Sequence, residues 1–215
     1  MPNKAGARTH DRILDAAESL ILTGGYGATS IDQIIEQVGV TKGTFFYHFK
    51  SKDELARSLV DRYAVADRRL LEENLRRAEA LSKHPVQRLL IFVGLFIEMA
   101  EGMREPAPGC LFASYCYESR LFDEEIHEVV AEAILRWREE VGRLIRSAMQ
   151  ARPPRVGVDV DSLADLLTGV FEGAYILART LKEPGAFAAQ LRHYRTYLEL
   201  LFGEADDAGA GRRAR

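Results

Sequence analysis

Two short apolar segments separated by a glycine lie between residues 30 and 49, and this spacing constrains the fold more than any other feature of the sequence. Ser30 with Gln33 three residues later is a capping-box pattern, which predicts that a helix begins here and that Gly39 ends it. Thr41 predicts the cap of a second short helix. The apolar positions of the first helix are Ile31, Ile34, Ile35 and Val38. Two short helices joined by a tight turn have the dimensions of a helix-turn-helix that reads the major groove of DNA.

The charge of this segment differs from the charge of the whole chain. The chain carries a net charge of −3 and a pI of about 6.0, which taken globally argues weakly against nucleic acid. Between Thr41 and Lys52, however, there are three lysines, one histidine and no acidic residue. A protein that reads DNA needs a basic face rather than a basic chain, so the local pattern outweighs the global one.

Glycines, prolines and capping residues divide the rest of the chain into further helices, and neither strand alternation nor an internal repeat is evident. One helix is expected before the motif, at about 8–23. After the motif, a long helix begins near residue 51, and further helices cover about 86–103, 110–119, 123–150, 159–181 and 184–202. The sequence therefore predicts an all-α fold of about nine helices, in which an N-terminal helix-turn-helix domain is joined to a larger helical ligand-binding and dimerisation domain.

The same pattern predicts three parts of the chain. Residues 1–55 form the helix-turn-helix domain with a flexible arm at about 1–8, residues 56–203 form the helical effector-binding and dimerisation domain, and residues 204–215 form a disordered tail rich in Gly, Ala, Asp and Arg.

Several classes of protein are excluded by what the sequence lacks. The longest apolar stretch, residues 89–97, is too short to span a membrane, and no secretory signal is evident, so we expect a cytoplasmic protein without a membrane partner. The five histidines are scattered, and no metal-ligand spacing, P-loop, dinucleotide fingerprint or nucleophile motif is present. We therefore expect no catalytic residues, no metal and no cofactor, and we reject an enzyme.

The second helix of the motif carries the candidate contacts with DNA. Small residues at its start, Thr41, Gly43 and Thr44, allow its backbone to approach a phosphate, and Lys42 would be relieved by that anion. Tyr47 can donate its hydroxyl or stack on a base, and His48 can touch either phosphate or base. Lys52 at the start of the next helix can bind the flanking strand, which predicts that Lys52→Ala weakens binding to all sequences alike.

The first 60 residues resemble the TetR family of bacterial repressors. The run Thr41-Lys-Gly-Thr-Phe-Phe-Tyr-His-Phe-Lys-Ser-Lys-Asp-Glu-Leu55 is similar to the recognition-helix signature of that family. Arg12-Ile-Leu-Asp-Ala-Ala17, Gly24-Gly-Tyr-Gly27 and Thr29-Ser-Ile-Asp-Gln-Ile34 are similar to its first and second helices. The remainder agrees with the family only in length, helical pattern and helix count.

The resemblance implies which residues contact the operator and which are buried. The positions matched to operator contacts are Ser30, Thr41, Lys42, Thr44, Tyr47, His48 and Lys52. Phe45 and Phe49 fall on core positions, and Lys4 and Arg8 could add contacts to the flanking backbone. Phe46 departs from the family, because many members have tyrosine there and its hydroxyl could bind a phosphate.

A dimer is expected, because one recognition helix reads too little sequence and a two-fold dimer on a palindrome supplies a second. Glycines in the middle of a helix each cost about 1 kcal/mol relative to alanine, and close approach of another helix would justify two glycines four residues apart. The resemblance implies that the last two helices pair as a four-helix bundle. The expected interface residues are Leu163, Leu167, Gly169, Val170, Gly173, Leu191, Tyr194 and Leu198.

The central helices are rich in aromatic residues and methionine, and the resemblance implies that this region surrounds a ligand cavity. Such a lining suits an apolar or aromatic effector of unknown identity. The expected lining residues are Phe96, Met99, Met103, Phe112, Tyr115, Trp137 and Tyr175. Polar groups such as His127, Glu172 or Arg179 could orient the ligand. For any one of these residues, a place in the ordinary core is the alternative.

Two cysteines raise the alternative of a redox sensor. Cys110 follows a glycine near a helix start, where a thiolate is favoured. Cys116 lies six residues later, roughly 9 Å along a helix and beyond the ~7 Å limit for a disulfide. We therefore favour two buried structural cysteines.

The sequence thus predicts a ligand-responsive transcriptional repressor that binds a palindromic double-stranded DNA operator as a homodimer and is released by a small effector. The main alternative is a DNA-binding regulator, an activator or a constitutive repressor, that has no small-molecule effector.

Overall fold

The structure is a computed structural model that describes residues 4–203, with side chains described from residue 6 onward. Over that range the chain forms nine α-helices and one short 3-10 helix, and it contains no strand. The helices are α1 (Lys4–Gly24), α2 (Ile31–Val38), α3 (Lys42–His48), α4 (Lys52–Leu81), α5 (Pro85–Glu101), α6 (Leu111–Tyr117), α7 (Glu124–Ala151), α8 (Val160–Leu181) and α9 (Gly185–Phe202), and the 3-10 helix is Ser119–Leu121. The predicted all-α fold is confirmed.

Local side-chain caps define the turn between α2 and α3. The Ser30 hydroxyl accepts a hydrogen bond from the Gln33 amide, and the Gln33 side chain accepts one in return from the Ser30 amide. Gly39 ends α2 in the left-handed region at φ +71°, a conformation that glycine adopts without a steric penalty. Thr41 then caps α3 by accepting from the Thr44 amide at 3.1 Å. These short-range bonds hold α3 at a fixed angle to α2.

Helix boundaries differ from the predicted ones at three places, one of which is the end of α5, at Glu101 rather than near residue 103. Helix α1 begins at Lys4, so residues 4–8 are helical where a flexible arm was expected. Lysine, alanine and arginine favour a helix, and the helix continues through Gly6 despite the low helix propensity of glycine. Helix α6 ends at Tyr117, and a separate 3-10 helix follows it. Residues 1–3, the Lys4 side chain and the predicted tail at 204–215 lie outside the described part.

Buried side chains form two clusters. The N-terminal cluster joins α1, α2, α3 and the first part of α4 with α6 and the start of α7, and it includes Phe45, Leu59, Tyr115 and Ile126. The C-terminal cluster joins the rest of α4 with α5, α7, α8 and α9. The N-terminal cluster extends through Val60, past residue 55, because α6 and α7 supply part of its core.

Helices α8 and α9 pack on each other and on the rest of the C-terminal cluster, which corrects part of the predicted dimer interface. Five predicted interface residues are buried inside their own chain, namely Leu163, Leu167, Leu191, Tyr194 and Leu198. The Tyr194 hydroxyl even donates to the Leu163 carbonyl at 3.0 Å. The prediction failed there because α8 carries two apolar stripes, and helical spacing alone does not tell which stripe faces the core.

The second stripe of α8 and the outer side of α9 are exposed. Gly169 is exposed, Val170 and Gly173 are partly exposed, and no atom would lie within 4 Å of a Cβ added at either glycine. Large apolar side chains continue this outer face at Leu166, Ile176, Leu177 and Leu181 of α8 and at Tyr197 and Leu200 of α9. We refer to these nine residues as the α8–α9 outer face.

None of the helices in the described part of the chain combines the length and the apolar character needed to cross a lipid bilayer.

Candidate nucleic-acid interface and ligand cavity

Helix α3 is anchored on one side and exposed on the other. Phe45 and Phe49 are buried in the N-terminal cluster, where the resemblance placed them. Tyr47 points away from the cluster and is 83% exposed, and its ring lies 5.0 Å from the ring of His48. Phe46, which is 41% exposed, packs against Phe45 edge to face. The outward surface of α3 therefore combines a phenol and an imidazole with a phenyl ring at the position that departs from the family.

The start of α3 is also open. Thr41 and Lys42 are exposed, and the Lys42 ammonium lies 3.8 Å from the Asp32 carboxylate in a pair of exposed side chains. Such exposed pairs contribute little free energy, so Lys42 can exchange this partner for a phosphate. Ser30, which caps α2, is exposed as well. Helices α2 and α3 thus present their caps and Lys42 to solvent.

Gly43 has no packing role inside the chain. A Cβ added there would meet only the Thr41 hydroxyl, at an ordinary distance of 3.8 Å. Glycine in a helix interior is less stable than alanine by about 1 kcal/mol, and no packing contact in the described part of the chain favours glycine here. Packing within the described part of the chain therefore does not require a glycine at residue 43.

Lys52 is less available than the sequence suggested. Its ammonium donates a hydrogen bond to the Tyr26 carbonyl and lies 3.9 Å from the centre of the Tyr26 ring. Partial burial lowers the pKa of Lys52, while Glu118 and Asp53 act in the opposite direction. Lys52 therefore holds the turn between α1 and α2 in place, and any bond to a phosphate would compete with this role.

A cavity of about 230 Å³ lies between α4, α5, α6, α7 and α8. Five predicted lining residues are in its wall, namely Phe96, Met99, Phe112, Trp137 and Tyr175. Two predicted ones are not. Tyr115 is buried in the N-terminal cluster and donates its hydroxyl to the Ala56 carbonyl at 3.0 Å, and Met103 lies beyond the end of α5. Tyr115 was selected because an aromatic side chain is as common in a core as in a cavity, and Met103 because the helix was expected to continue to residue 103.

The cavity wall contains several residues that the sequence reasoning did not select. They are Tyr63, Ala66, Asp67, Leu70, Cys110, Ile134, Thr168, Phe171 and Glu172, of which only Glu172 had been considered as a ligand-orienting group. Asp67 could have been found, because it lies beside the apolar stripe formed by Leu59, Tyr63 and Leu70 on α4, where a carboxylate is unexpected. His127 and Arg179, the other candidates for orienting a ligand, do not line the cavity.

The polar groups of the cavity are two carboxyls, two phenols, a hydroxyl and a thiol. Asp67 accepts a hydrogen bond from the Trp137 indole N–H at 2.9 Å. Burial raises the pKa of Asp67, and the bond to Trp137 and the charge of Arg136 only partly oppose it. Burial also raises the pKa of Glu172, against a hydrogen bond from Cys110. Both carboxyls therefore hold a proton more firmly than they would in water.

The two cysteines have different surroundings. Cys110 lines the cavity, and burial with the nearby Glu172 raises its pKa to about 12, so it is a thiol rather than a thiolate at neutral pH. Cys116 is exposed, which corrects the expectation of two buried cysteines. Residue 116 faces outward because α6 buries Leu111, Phe112 and Tyr115 on its other side.

Helix α6 extends from the cavity to the turn that precedes α2. Its N-cap residue Cys110 and its second residue Phe112 border the cavity. Just beyond its last turn, the Glu118 carboxylate accepts hydrogen bonds from the amides of Tyr26 and Gly27, both at 2.7 Å. A displacement of α6 by a ligand would therefore act on the segment that leads into α2 and α3.

Helix α8 also connects the cavity with the DNA-binding part of the chain, at the end of α1. Glu172 and Tyr175 line the cavity, and about one turn later Arg179 reaches the end of α1. Its guanidinium donates to the carbonyls of Leu22 at 2.7 Å and Thr23 at 2.8 Å. These carbonyls are at the negative end of the α1 dipole, where a cation is stabilising.

Both parts of the chain match families of regulatory proteins. Residues 13–59 match a family described as bacterial regulatory proteins, tetR family. Residues 85–194 match a family described as tetracyclin repressor-like, C-terminal domain.

Relatives and solved structures agree with these matches. The transcriptional regulator AcuR of Cereibacter sphaeroides is 25% identical over 177 residues, which cover 81% of this chain and 78% of that protein. The HTH-type transcriptional repressor DhaR of a Mycobacterium species is 24% identical over 172 residues, 79% of this chain and 83% of that protein. The crystal structure of a TetR transcriptional regulator from Chloroflexus aurantiacus is 30% identical, with a TM-score of 0.70, and the match covers 93% of this chain and 98% of that one.

Proposed function

Because this chain belongs to the TetR family of bacterial transcriptional regulators, we propose that it is a ligand-responsive repressor that binds a palindromic operator as a homodimer. In this proposal residues 1–55 read DNA, residues 56–203 bind the effector and dimerise, and a small molecule in the cavity releases the operator. Repression is favoured over activation by the relative DhaR, which is named a repressor.

The open surface of α3 is the observation that carries the DNA-binding part of the proposal. Tyr47 is exposed and Gly43 has space around it, although neither feature stabilises the chain itself. Tyr47, Lys42 and Thr44 are the candidates for reading bases, while Ser30, Thr41 and His48 position the helix on the phosphates. Since few long polar side chains lie on α3, groove shape would carry much of the specificity.

The α8–α9 outer face supports the homodimer. An exposed surface of Leu166, Ile176 and Leu200 with two open glycines is suited to close packing against the same face of a second copy. A two-fold dimer places two α3 helices in successive major grooves, and such an arrangement requires a palindromic operator.

The connections through α6 and α8 support release by a ligand. The cavity wall includes Cys110 of the segment entering α6 and Glu172 of α8, and both elements contact the end of α1 or the turn after it. A ligand that prefers a different spacing of these helices would shift the two α3 helices apart, so that both half-sites could not be bound together.

Replacing Tyr47 with alanine tests the DNA-reading surface. The experiment is a mobility shift on the DNA upstream of the protein's own gene, with Tyr117→Ala as the matched control because Tyr117 is also exposed, at 78%, but lies on α6. We expect Tyr47→Ala to weaken the specific shift about tenfold, since a hydrogen bond and an aromatic contact are lost, while Tyr117→Ala leaves it unchanged. Equal affinities for both variants would contradict the assignment of α3. A specific shift that no metabolite extract alters would favour a regulator without an effector.

A further inference from the structure

The cavity wall is acidic as well as aromatic. Asp67 and Glu172 both contribute to it, and none of its described lining residues is Lys, Arg or His. The basic group that acts on Asp67 is Arg136, which is exposed on α7 and is not part of the wall. The negative charges of the wall therefore have no cationic side chain facing them across the cavity.

Aromatic rings surround the same space. Phe96, Trp137 and Phe171 contact one another with ring centres 5.2 to 5.7 Å apart. Tyr63 and Phe112 form a second edge-to-face pair at 4.9 Å. The faces of such rings are electron-rich and attract a cation, most strongly where water is excluded.

Carboxylates and ring faces favour the same ligand charge. Desolvating a carboxylate without a cation beside it is costly, and Asp67 and Glu172 are half-buried with hydrogen bonds from Trp137 and Cys110 but with no cationic side chain in the wall, so a cation placed in the cavity would offset this cost. A neutral ligand would leave this cost unchanged, and an anion would add repulsion. We propose that the effector is an organic cation, with an ammonium group beside Asp67 and Glu172 and an apolar body against Phe96, Trp137 and Phe171. This inference depends on the proposed role of the cavity as the effector site.

The volume limits the size of such a ligand. A cavity of about 150 Å³ is enough to hold benzene, and this one measures about 230 Å³. A single aromatic ring that carries a substituted ammonium group would fill it. Because the pKa values of Asp67 and Glu172 are raised, binding of the cation would displace protons from these carboxyls. The affinity for the cation would therefore increase as the pH rises.

Trp137 provides a direct measurement, because it is the only tryptophan of the chain and lies in the wall. The full-length protein is titrated with benzyltrimethylammonium, with its uncharged carbon analogue neopentylbenzene and with phenylacetate, and the tryptophan fluorescence is followed. We expect saturable binding of the cation at least about tenfold tighter than that of the neutral analogue, and the anion should bind most weakly. Tighter or equal binding of the neutral or anionic probe would overturn the inference.

Variants locate the charge effect. The double variant Asp67→Asn with Glu172→Gln keeps both side-chain shapes and should lower the affinity for the cation about tenfold while leaving that for neopentylbenzene within about twofold. Glu72→Gln, an exposed acid on α4, is the control and should change neither. Unchanged cation binding in the double variant contradicts the proposed position of the ammonium group.

Operator binding in the same preparations separates this inference from the proposed function. If the cation binds as expected but does not release the operator, the charge preference stands and the release mechanism fails. If none of the three probes binds while the operator is still bound, the charge preference is overturned and the DNA-binding part of the proposed function stands.

Discussion

Several individual residues of this protein have properties that favour binding of another molecule rather than stability of the chain itself. Gly43 has room for a side chain, and Tyr47 exposes an aromatic ring on a helix whose other side is fully buried. Asp67 and Glu172 are half-buried acids without a basic partner in the cavity wall. Each of these features has a cost for the isolated chain, and a bound partner would remove or offset that cost.

Gly43→Ala should separate stability from DNA binding. The substitution should raise the free energy of unfolding by up to about 1 kcal/mol, because alanine favours a helix and the new Cβ has space. The same Cβ should weaken operator binding where α3 approaches the DNA. Thermal unfolding and a fluorescence-anisotropy titration measure the two effects. Gly185→Ala on α9, also without neighbours, should leave operator affinity unchanged, and a Gly43→Ala protein with full affinity would contradict the proposed approach.

Glu172→Gln should change how stability depends on pH. Burial raises the pKa of Glu172 in the folded chain above its value in the unfolded chain, so its contribution to stability is complete below about pH 4.5 and is lost as the pH rises through the folded-state pKa. Glutamine carries no charge and avoids this loss. The variant should therefore gain in melting temperature relative to the parent from pH 5 to pH 8. Glu128→Gln, exposed on α7, should show no such trend, and a flat difference for Glu172→Gln would refute the explanation.

At the scale of the helices, local signals predicted the structure well where they were short-range. Ser30, Thr41 and Gly39 determined the bounds of α2 and α3 because a cap depends on residues three or four positions apart. The inner and outer stripes of α8 could not be distinguished, since that choice depends on contacts with α9 and other distant helices. The lining of the cavity likewise depends on contacts between distant helices, so only part of it could be predicted. Tyr115 was assigned to the cavity, whereas α6 directs its side chain toward α4.

Arg179 links two helices that are far apart in sequence, and its removal should loosen the end of α1. Arg179→Met keeps much of the side chain but loses the charged bonds to Leu22 and Thr23, which should lower stability by about 1 kcal/mol. Hydrogen exchange should become faster for amides in the last turn of α1 and in the turn that follows. Arg69→Met, exposed on α4, is the control. Unchanged exchange at the end of α1 would show that the contact is not stabilising.

For the whole molecule, the exposed α8–α9 outer face is the feature that a single chain does not explain. Its apolar side chains other than Val170 lie outside both buried clusters, and a Cβ added at either glycine would have no neighbour within 4 Å. The sequence predicted that these helices would pair, but it named mostly residues that the single chain buries. The corrected surface uses Gly169, Val170 and Gly173 from that prediction together with the large residues of the second stripe.

Leu166→Glu should therefore disrupt the proposed dimer. Leu166 is 45% exposed on the outer face, and a carboxylate there would be desolvated on association. We expect sedimentation velocity to show a monomer and operator affinity to fall by at least about tenfold, because one half-site is bound at a time. Leu135→Glu on α7, at a site 53% exposed, should remain dimeric. If the Leu166→Glu protein remained dimeric, the dimer interface would have to lie on another surface.

Glu118 has a consequence for building new sensors from parts of this protein. Its carboxylate accepts hydrogen bonds from the amides of Tyr26 and Gly27. A Cβ added at Gly25 or Gly27 would lie only 2.7 or 2.8 Å from the carboxylate oxygens. The turn and the acid therefore fit one another as a matched pair. A chimera that grafts residues 1–60 onto the effector domain of a relative would inherit the glycines without the acid, unless the equivalent of residue 118 is transplanted with them. Exchange of the DNA-binding and effector domains should succeed at this junction only when the glycine turn and the acid at position 118 come from the same protein.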